Sequence, residues 1–479
     1  MDEIISMLSY RQLGHAFFSD QNPTPLPNCH YVYINKDLSK NLNLDHLTKD
    51  DFNNILSGQA QFGSSTPLAM KYCGHQFGHY NPDLGDGRGL LIAELTEHKF
   101  ATAIIDLHLK GAGQTPYSRQ GDGRAVLRST LREYLMSEAM FHLNIPSSRA
   151  LAIGSCPEPI LREQYEPAAT MIRTTACHIR FGHFEYASYH LPREKLKELA
   201  NYCIHRFYPE CLKAKDPYVS LLKTIIAKTA KLIAHWQAVG FNHGVMNTDN
   251  MSVLGETFDY GPFAFLTTYN PSYVCNHSDT QGRYAFDQQA QMGLFNSQCL
   301  AQAMLPLITK EQAIDCLKVY EPTFNKHFNY LFAQKLGLNE ISESFIELTL
   351  TMIHQNNMDY TDFFRQLTYS FDDKNGRGRN IALDLNQFDS WNEQYENLLT
   401  KQHISHKQAK TTLQVNNPNY ILHTHIIQNA IDLAYQGDYS EFETLCEVAK
   451  NPFTQNPDWV RFEKTKDSND PDMSLSCSS

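Results

Sequence analysis

The segment FNHGVMNTDNMSVLGETFDYGPF at 241 to 263 brings the carboxylates of Asp249 and Asp259 and the amide of Asn250 close together in the chain. Oxygen donors of this kind suit a hard cation, since magnesium takes a few protein oxygens and completes its octahedron with phosphate oxygens and water. Asn250 and Asp259 are therefore the candidate metal ligands. Asp249, beside that cation, is the carboxylate able to act as a general base toward a hydroxyl. Upstream, Gly85, Gly87 and Gly89 surround Arg88 before an apolar run. Glycines let backbone N–H groups approach phosphates, and a guanidinium fork matches phosphate oxygens. Lys110 follows 22 residues after Arg88, and Glu133 and Glu138 lie in a helical stretch beyond it. Taken singly, these are turns, a solvated lysine and surface acids. Taken together they are the parts of a site that grips a triphosphate.

The order of these parts follows the layout of protein kinases. Their catalytic loops read His-x-Asp, with an Asn five residues beyond the Asp and then Asp-Phe-Gly, while a strand lysine pairs with a helix glutamate under a glycine loop. This chain has His243, Asn250 and the triplet Asp259-Tyr260-Gly261, but Val245 falls where the kinase base would stand. Valine accepts no proton, which leaves Asp249 for that role. Glu133 lies nearer than Glu138 to the stripe Leu127, Leu131 and Leu135, and is the expected partner of Lys110.

The elements that must carry these residues are legible in part. HYVYIN at 30 to 35, LLIAEL at 90 to 95 and ATAIIDLHLKG at 101 to 111 read as strands, the last delivering Lys110 at its exit. A helix is expected from Ala125 to Leu143, with Asp122 and Gly123 of the second GDGR at its amino-terminal end, where the dipole favours anions. ALAIG and ATMIRT read as further strands. Residues 219 to 239 carry an apolar stripe interrupted only by Thr229 and stopped by Gly240. The expected fold is α+β, two-lobed and protein-kinase-like. A strand-rich N-lobe spans 1–180, a helical C-lobe 181–460 and a carboxy-terminal tail 461–479, with the hinge around 176 to 190.

Composition bounds the remaining choices. A chain of 479 residues with 42% hydrophobic and 19% charged residues folds as a globular protein of more than one lobe. A net charge of −11 argues against a nucleic-acid or anionic-membrane partner while leaving room for a local basic cleft. No apolar run approaches the roughly 18 residues of a membrane span, and the opening is too polar for a secretory signal, so a cytoplasmic location is expected. The 11 cysteines show no C-x-x-C pair and are expected to be reduced and buried, apart from Cys477 in the polar tail. His75 and His79 of GHQFGH lack the glutamate and third ligand of a zinc site, and are expected to pack or hydrogen-bond within the first lobe.

YCGHQFGHYNPDLGDGRG, LKGAGQTPYSRQGDGRAVLRSTLREYLMSEAM, MIRTTACHIRFGHFEY, HGVMNTDNMSVLGETFDYGPFAFL, YVCNHSDTQGRYAFDQQ and the closing CSS occur in that order. On these blocks the chain resembles the selenoprotein-O family of kinase-fold protein adenylyltransferases over essentially its whole length. The resemblance implies a nucleotide bound in reverse relative to kinases, so that AMP passes from ATP to Ser, Thr or Tyr hydroxyls of protein substrates under magnesium, with UMP transfer from UTP under manganese as a variation. It implies nucleotide contacts at Gly85, Gly87, Arg88, Lys110, Asp122, Gly123, Arg173, Arg180 and Asp259. It further implies metal ligation by Asn250 and Asp259 and proton acceptance by Asp249, with Lys110 and Glu133 organising the phosphates. Some members carry selenocysteine where this chain has Cys477, and a disulfide from Cys477 to Cys275 would tether the tail across the active-site face.

Overall fold

Strand alternation decides which side chains reach the site. The computed structural model describes residues 8–96, 104–371 and 377–463. In it an antiparallel sheet is built from β1 (Phe18–Asp20), β2 (His30–Ile34), β3 (Leu68–Met70), β6 (Gly89–Thr96), β7 (Ile104–Lys110), β9 (Arg149–Leu161) and β10 (Tyr165–Thr175). Its order is β1-β3-β6-β7-β10-β9-β2, with the short β8 (Ala125–Val126) paired to β10. A separate hairpin, β4 (Gly74–Gln76) and β5 (His79–Asn81), leaves the sheet after β3. Along β7 the residues alternate in character, and the two faces of the sheet separate them. Ile105, Leu107 and Leu109 join Phe52, Ile55 and Leu56 of α2 (Lys49–Leu56) and Leu38 of α1 (Lys36–Asn41) in one apolar cluster. Asp106, His108 and Lys110 belong to the opposite face, over which α3 (Leu127–His142) lies.

From residue 181 onward the chain is mainly helical: α4 (Phe181–His190), α5 (Arg193–Phe207), α6 (Pro217–Val239), α7 (Gln289–Ala303), α8 (Lys310–Leu317) and α9 (Tyr320–Lys335), followed by further helices to Lys450. The amino terminus of α6 is capped by Asp216, whose side chain accepts from the N–H groups of Tyr218 and Val219, and its end is set by Gly240 in the left-handed region at φ +78°. Thr229, the one polar residue of its stripe, satisfies its hydroxyl on the Ile225 carbonyl at 2.9 Å. The helix Ser440–Lys450 returns to the first region, where Phe442 packs edge-on against Tyr33 and Tyr134. One apolar core thus runs from the α3 face of the sheet into α4, α5 and α6, while a second surrounds Trp391.

Two expectations change. Helix α3 begins at Leu127 with Val126 as its cap, because Ala125 and Val126 are drawn into β8 against β10. Cys29 and Cys156 are joined as a disulfide, since β2 pairs with β9 and aligns His30 with Ser155, bringing the flanking cysteines to a Cα separation of 4.1 Å. The eight other described cysteines are free and buried, and Cys477 lies outside the described residues. Among the described residues no helix is long and apolar enough to cross a membrane.

Trp236 of α6 is 1% exposed, and its indole N–H donates to Thr257 Oγ1 at 2.9 Å. Trp236→Ala is expected to cost about 3–5 kcal/mol through the cavity it leaves, read as a lowered urea midpoint.

Candidate active site

Cross-strand register brings the first charged residues together. Lys110 at the end of β7 lies opposite Met171 of β10, and Arg173 is two residues further along β10, on the same face. Helix α3 sets Glu133 between them, where one carboxylate oxygen accepts from Lys110 Nζ and the other from Arg173 Nε. Arg173 continues to Asp259 Oδ1 at 2.5 Å, and Arg180, the cap residue of α4, holds Asp259 Oδ2. The result is a chain of alternating charge from Lys110 through Glu133, Arg173 and Asp259 to Arg180. Burial alone would raise both carboxyls, but Arg173 with Lys110 holds Glu133 below its usual range, and Arg173 with Arg180 holds Asp259 well below it. Burial lowers Lys110 to about 8 against the pull of Glu133, which leaves it cationic at neutral pH. Glu138 is used elsewhere. It accepts from both Arg149 and Asn35, fastening β9 and β2 to α3.

The glycine loop is held from behind by Asp86. Its Oδ2 accepts from the Met70 N–H at 3.0 Å and faces His108 Nε2 at 3.2 Å, and its carbonyl accepts from Thr115 Oγ1 at 2.7 Å. The loop leaves no room for side chains at two of its glycines. A Cβ at Gly85, which sits at φ +132°, would stand 2.7 Å from the Tyr117 ring, and one at Gly89 would stand 2.2 Å from His108 Cε1. Arg88 is exposed at the cleft. The second glycine stretch lies against the first, with Ser118 Oγ donating to the Gly87 carbonyl.

Asp122 and Gly123 do line the cleft, but they are not at the start of the helix. Both Asp122 oxygens are engaged by Arg162 of the β9–β10 hairpin at 2.7 and 2.9 Å, and Oδ1 also accepts from the Arg124 N–H. Gly123 at φ +70° is required by contact with the Gly113 backbone, which a Cβ would meet at 2.1 Å.

On the far wall, β11 (Phe241–Asn242) pairs with β12 (Ala264–Phe265), and a single 3-10 turn, Thr248–Asn250, closes the loop between them. Asn250 Nδ2 donates to the Val245 carbonyl at 2.9 Å, which commits the amide nitrogen and leaves Oδ1 for another partner. Asp259 sits at φ +61°, a left-handed conformation uncommon for a residue with a side chain and frequent at functional positions. Asp249 accepts from Gln76 Nε2 at 3.0 Å on Oδ2, while its buried Oδ1 has no hydrogen-bond partner. Burial pushes its carboxyl up to about 6.

Apart from Glu133, which lies behind the surface, every residue selected from the sequence lines one cleft of about 770 Å³. Seven Lys and Arg side chains line it against four Asp, a basic excess in a chain of net charge −11. Among the described residues no cluster of three or more His, Cys, Asp and Glu forms a metal site by itself. Asn250 Oδ1 and the Asp259 carboxylate, here held by Arg173 and Arg180, are oxygens of the kind a hard cation takes alongside phosphate and water.

A sequence profile described as Protein adenylyltransferase SelO matches residues 5–450. The chain is 45% identical over 480 residues to a protein nucleotidyltransferase YdiU of Aliivibrio salmonicida, covering 98% of each. It is 44% identical to the protein of that name in Vibrio vulnificus, again over 98% of each, and 45% identical to that of Pseudoalteromonas atlantica over 95% of this chain and 96% of the relative. The chain belongs to the protein adenylyltransferase SelO family. Membership makes it an enzyme of the nucleotidyltransferase class.

Several residues of this SelO-family site do not stand out in the sequence. Asp86 sits inside the first GDGR but reads there as a turn residue, and Arg162 has no motif around it. Gln76, Asn247 and Tyr284 meet only through the tertiary fold; the usable signal was the glycine-flanked GHQFGH itself. His75 pairs with Glu185 of α4 at 2.6 Å, so this hairpin reaches beyond the first region instead of packing within it. Cys275 is buried with its thiol on the Pro262 carbonyl at 2.8 Å, and burial pushes that thiol up.

Burial would raise Asp86, yet His108 and Arg180 hold it down at about 2. A depressed carboxyl contributes stability above its unfolded pKa and loses it as pH falls toward the folded value. Asp86→Asn is therefore expected to lower the thermal midpoint at pH 7 by the equivalent of about 2 kcal/mol, with the gap to the native protein closing as pH falls from about 4 to about 2.

Proposed function

We propose that this protein transfers AMP from ATP to Ser, Thr or Tyr hydroxyls of other proteins, releasing pyrophosphate. In this reading residues 1–180 and 181–460 act as the two lobes of a kinase-like fold closing on the cleft, and 461–479 is an appended tail. The observation that carries it is Asp249 Oδ1: a buried carboxylate oxygen without a partner, in a basic cleft where Val245 replaces the kinase base. The acceptor hydroxyl gives its proton to Asp249 as its oxygen attacks the α-phosphorus. The bond from that phosphorus to the bridging oxygen of the β-phosphate breaks in line, and pyrophosphate leaves with its electrons. Lys110, Arg173 and Arg88 hold the β- and γ-phosphates and stabilise the leaving charge, with Glu133 keeping Lys110 and Arg173 in place. Asn250 and Asp259 hold magnesium or manganese, which supplies further neutralisation of phosphate charge. Arg173 and Arg180, both on Asp259 here, are free to exchange that carboxylate for phosphate oxygens.

The test is incubation of the protein with magnesium, a cell lysate and ATP labelled on either the α- or the γ-phosphate, beside Asp259→Ala. Label is expected on protein from the α-position only, and to disappear in the variant. Label from the γ-position only would make the enzyme a kinase with a substitute base.

A further inference from the structure

The stretch GHQFGH draws attention for its histidines, yet its position in the fold points to the glutamine between them. The β4–β5 hairpin crosses from the sheet to the turn that carries Asp249. The His75 N–H donates to Thr248 Oγ1 at 2.7 Å, and the Phe77 N–H is shared between Asn247 Oδ1 at 3.2 Å and the Tyr284 hydroxyl at 2.9 Å. A Cβ at Gly74 would lie 2.8 Å from Thr248 Oγ1, so the approach needs glycine there. Phe77 at φ +51° turns the chain directly after Gln76. On its other side the hairpin is fixed to α4 by His75 and Glu185. A strand-region hairpin is thus bonded at alternate backbone positions, His75 and Phe77, to the one turn that carries the candidate base and to the Asn247 that caps it.

Gln76 itself is held at both ends. Its Oε1 accepts from Asn81 Nδ2 at 3.1 Å, which fixes the amide with its donor end toward Asp249, and Nε2 donates to Asp249 Oδ2 at 3.0 Å. The carboxylate torsion of aspartate is broad and roughly two-fold, so without such a donor either oxygen could face the cleft. With it, one oxygen is occupied and the other, buried and unpartnered, is singled out. The donor is neutral, so it orients the carboxylate without tying it up in an ion pair as an arginine would.

We propose that Gln76 is a positioning residue for nucleotidyl transfer: by occupying Asp249 Oδ2 it fixes the carboxylate plane and reserves Oδ1 for the acceptor hydroxyl. This inference rests on the reading of Asp249 as proton acceptor. It assigns the hairpin a share in the chemistry, separate from phosphate binding.

The test uses the full chain with α-labelled ATP, magnesium and a mixture of Ser-, Thr- and Tyr-containing peptides. It compares Gln76→Met, of similar length without a donor, with Asn81→Ala, which frees the amide to turn, and with Asp249→Asn. At saturating ATP the transfer rate of Gln76→Met is expected to fall about tenfold or more, while the half-saturating ATP concentration and the thermal midpoint stay near those of the native protein. Asn81→Ala is expected to show a smaller loss with the same split, and it serves in place of Gln76→Met should that variant not fold. An unchanged rate in both variants, or a loss carried by ATP affinity or by the midpoint, would overturn the inference. If Asp249→Asn transfers at the native rate, the base reading falls and the inference falls with it. An inactive Asp249→Asn beside a fully active Gln76→Met overturns only the role of Gln76.

Discussion

The structure depends on one buried carboxylate. Glu133 is 1% exposed and stands between two cations, and each of the three would be strongly unfavourable in the interior without the others. Removing one partner from such a cluster leaves an uncompensated buried charge, at a cost of about 3–5 kcal/mol. That penalty dictates the surrounding design. The register of β7 with β10 must put Lys110 and Arg173 on the same face, and α3 must turn Glu133 toward it. The alternation of β7, with leucines toward α2 and Asp106, His108 and Lys110 away from it, follows from the same demand.

The charge chain extends from the sheet into the helical region because Arg173 and Arg180 converge on Asp259. An ionic contact therefore joins the two regions at the place where nucleotide phosphates would sit. The seven basic side chains around it concentrate positive potential in a molecule that is acidic overall, which attracts a polyanion to the cleft and not to the general surface. Rigid supports surround these charges. Asp86 anchors the glycine loop, Tyr117 packs on Gly85, and Asn250 is committed to the Val245 carbonyl. The oxygens left over in the far wall are Asp249 Oδ1, buried without a partner, and Asn250 Oδ1.

Much of this was legible in the sequence, for physical reasons that differ from residue to residue. Lys110 at a strand exit and Glu133 beside a helix stripe could be read from periodicity, whereas Asn250 and Asp259, in a turn and a loop, were legible from the order of a kinase-like motif. The choice of Glu133 over Glu138 followed from its place beside the α3 stripe. Asp122 shows where such reading stops. Its proximity to a helix suggested a dipole site, but β8 pairing shifted the helix start and Arg162, far along the chain, took both its oxygens. Gln76 and Tyr284 are linked to the Thr248–Asn250 turn and its cap Asn247 by long-range hydrogen bonds, for which neither composition nor period carries a signal. The pairing of Cys29 with Cys156 depends on strand order, β2 beside β9, which no local pattern encodes.

The central claim is that the charge chain and the free Asp249 oxygen mark opposite ends of one bound triphosphate. The most direct measurement is a crystal structure of the protein with magnesium and a non-hydrolysable ATP analogue. The account predicts the γ-phosphate beside Lys110 and Arg173 and the α-phosphate beside Asp249 and Asn250. A γ-phosphate lying next to Asp249, with the α-phosphate against Lys110, would contradict it.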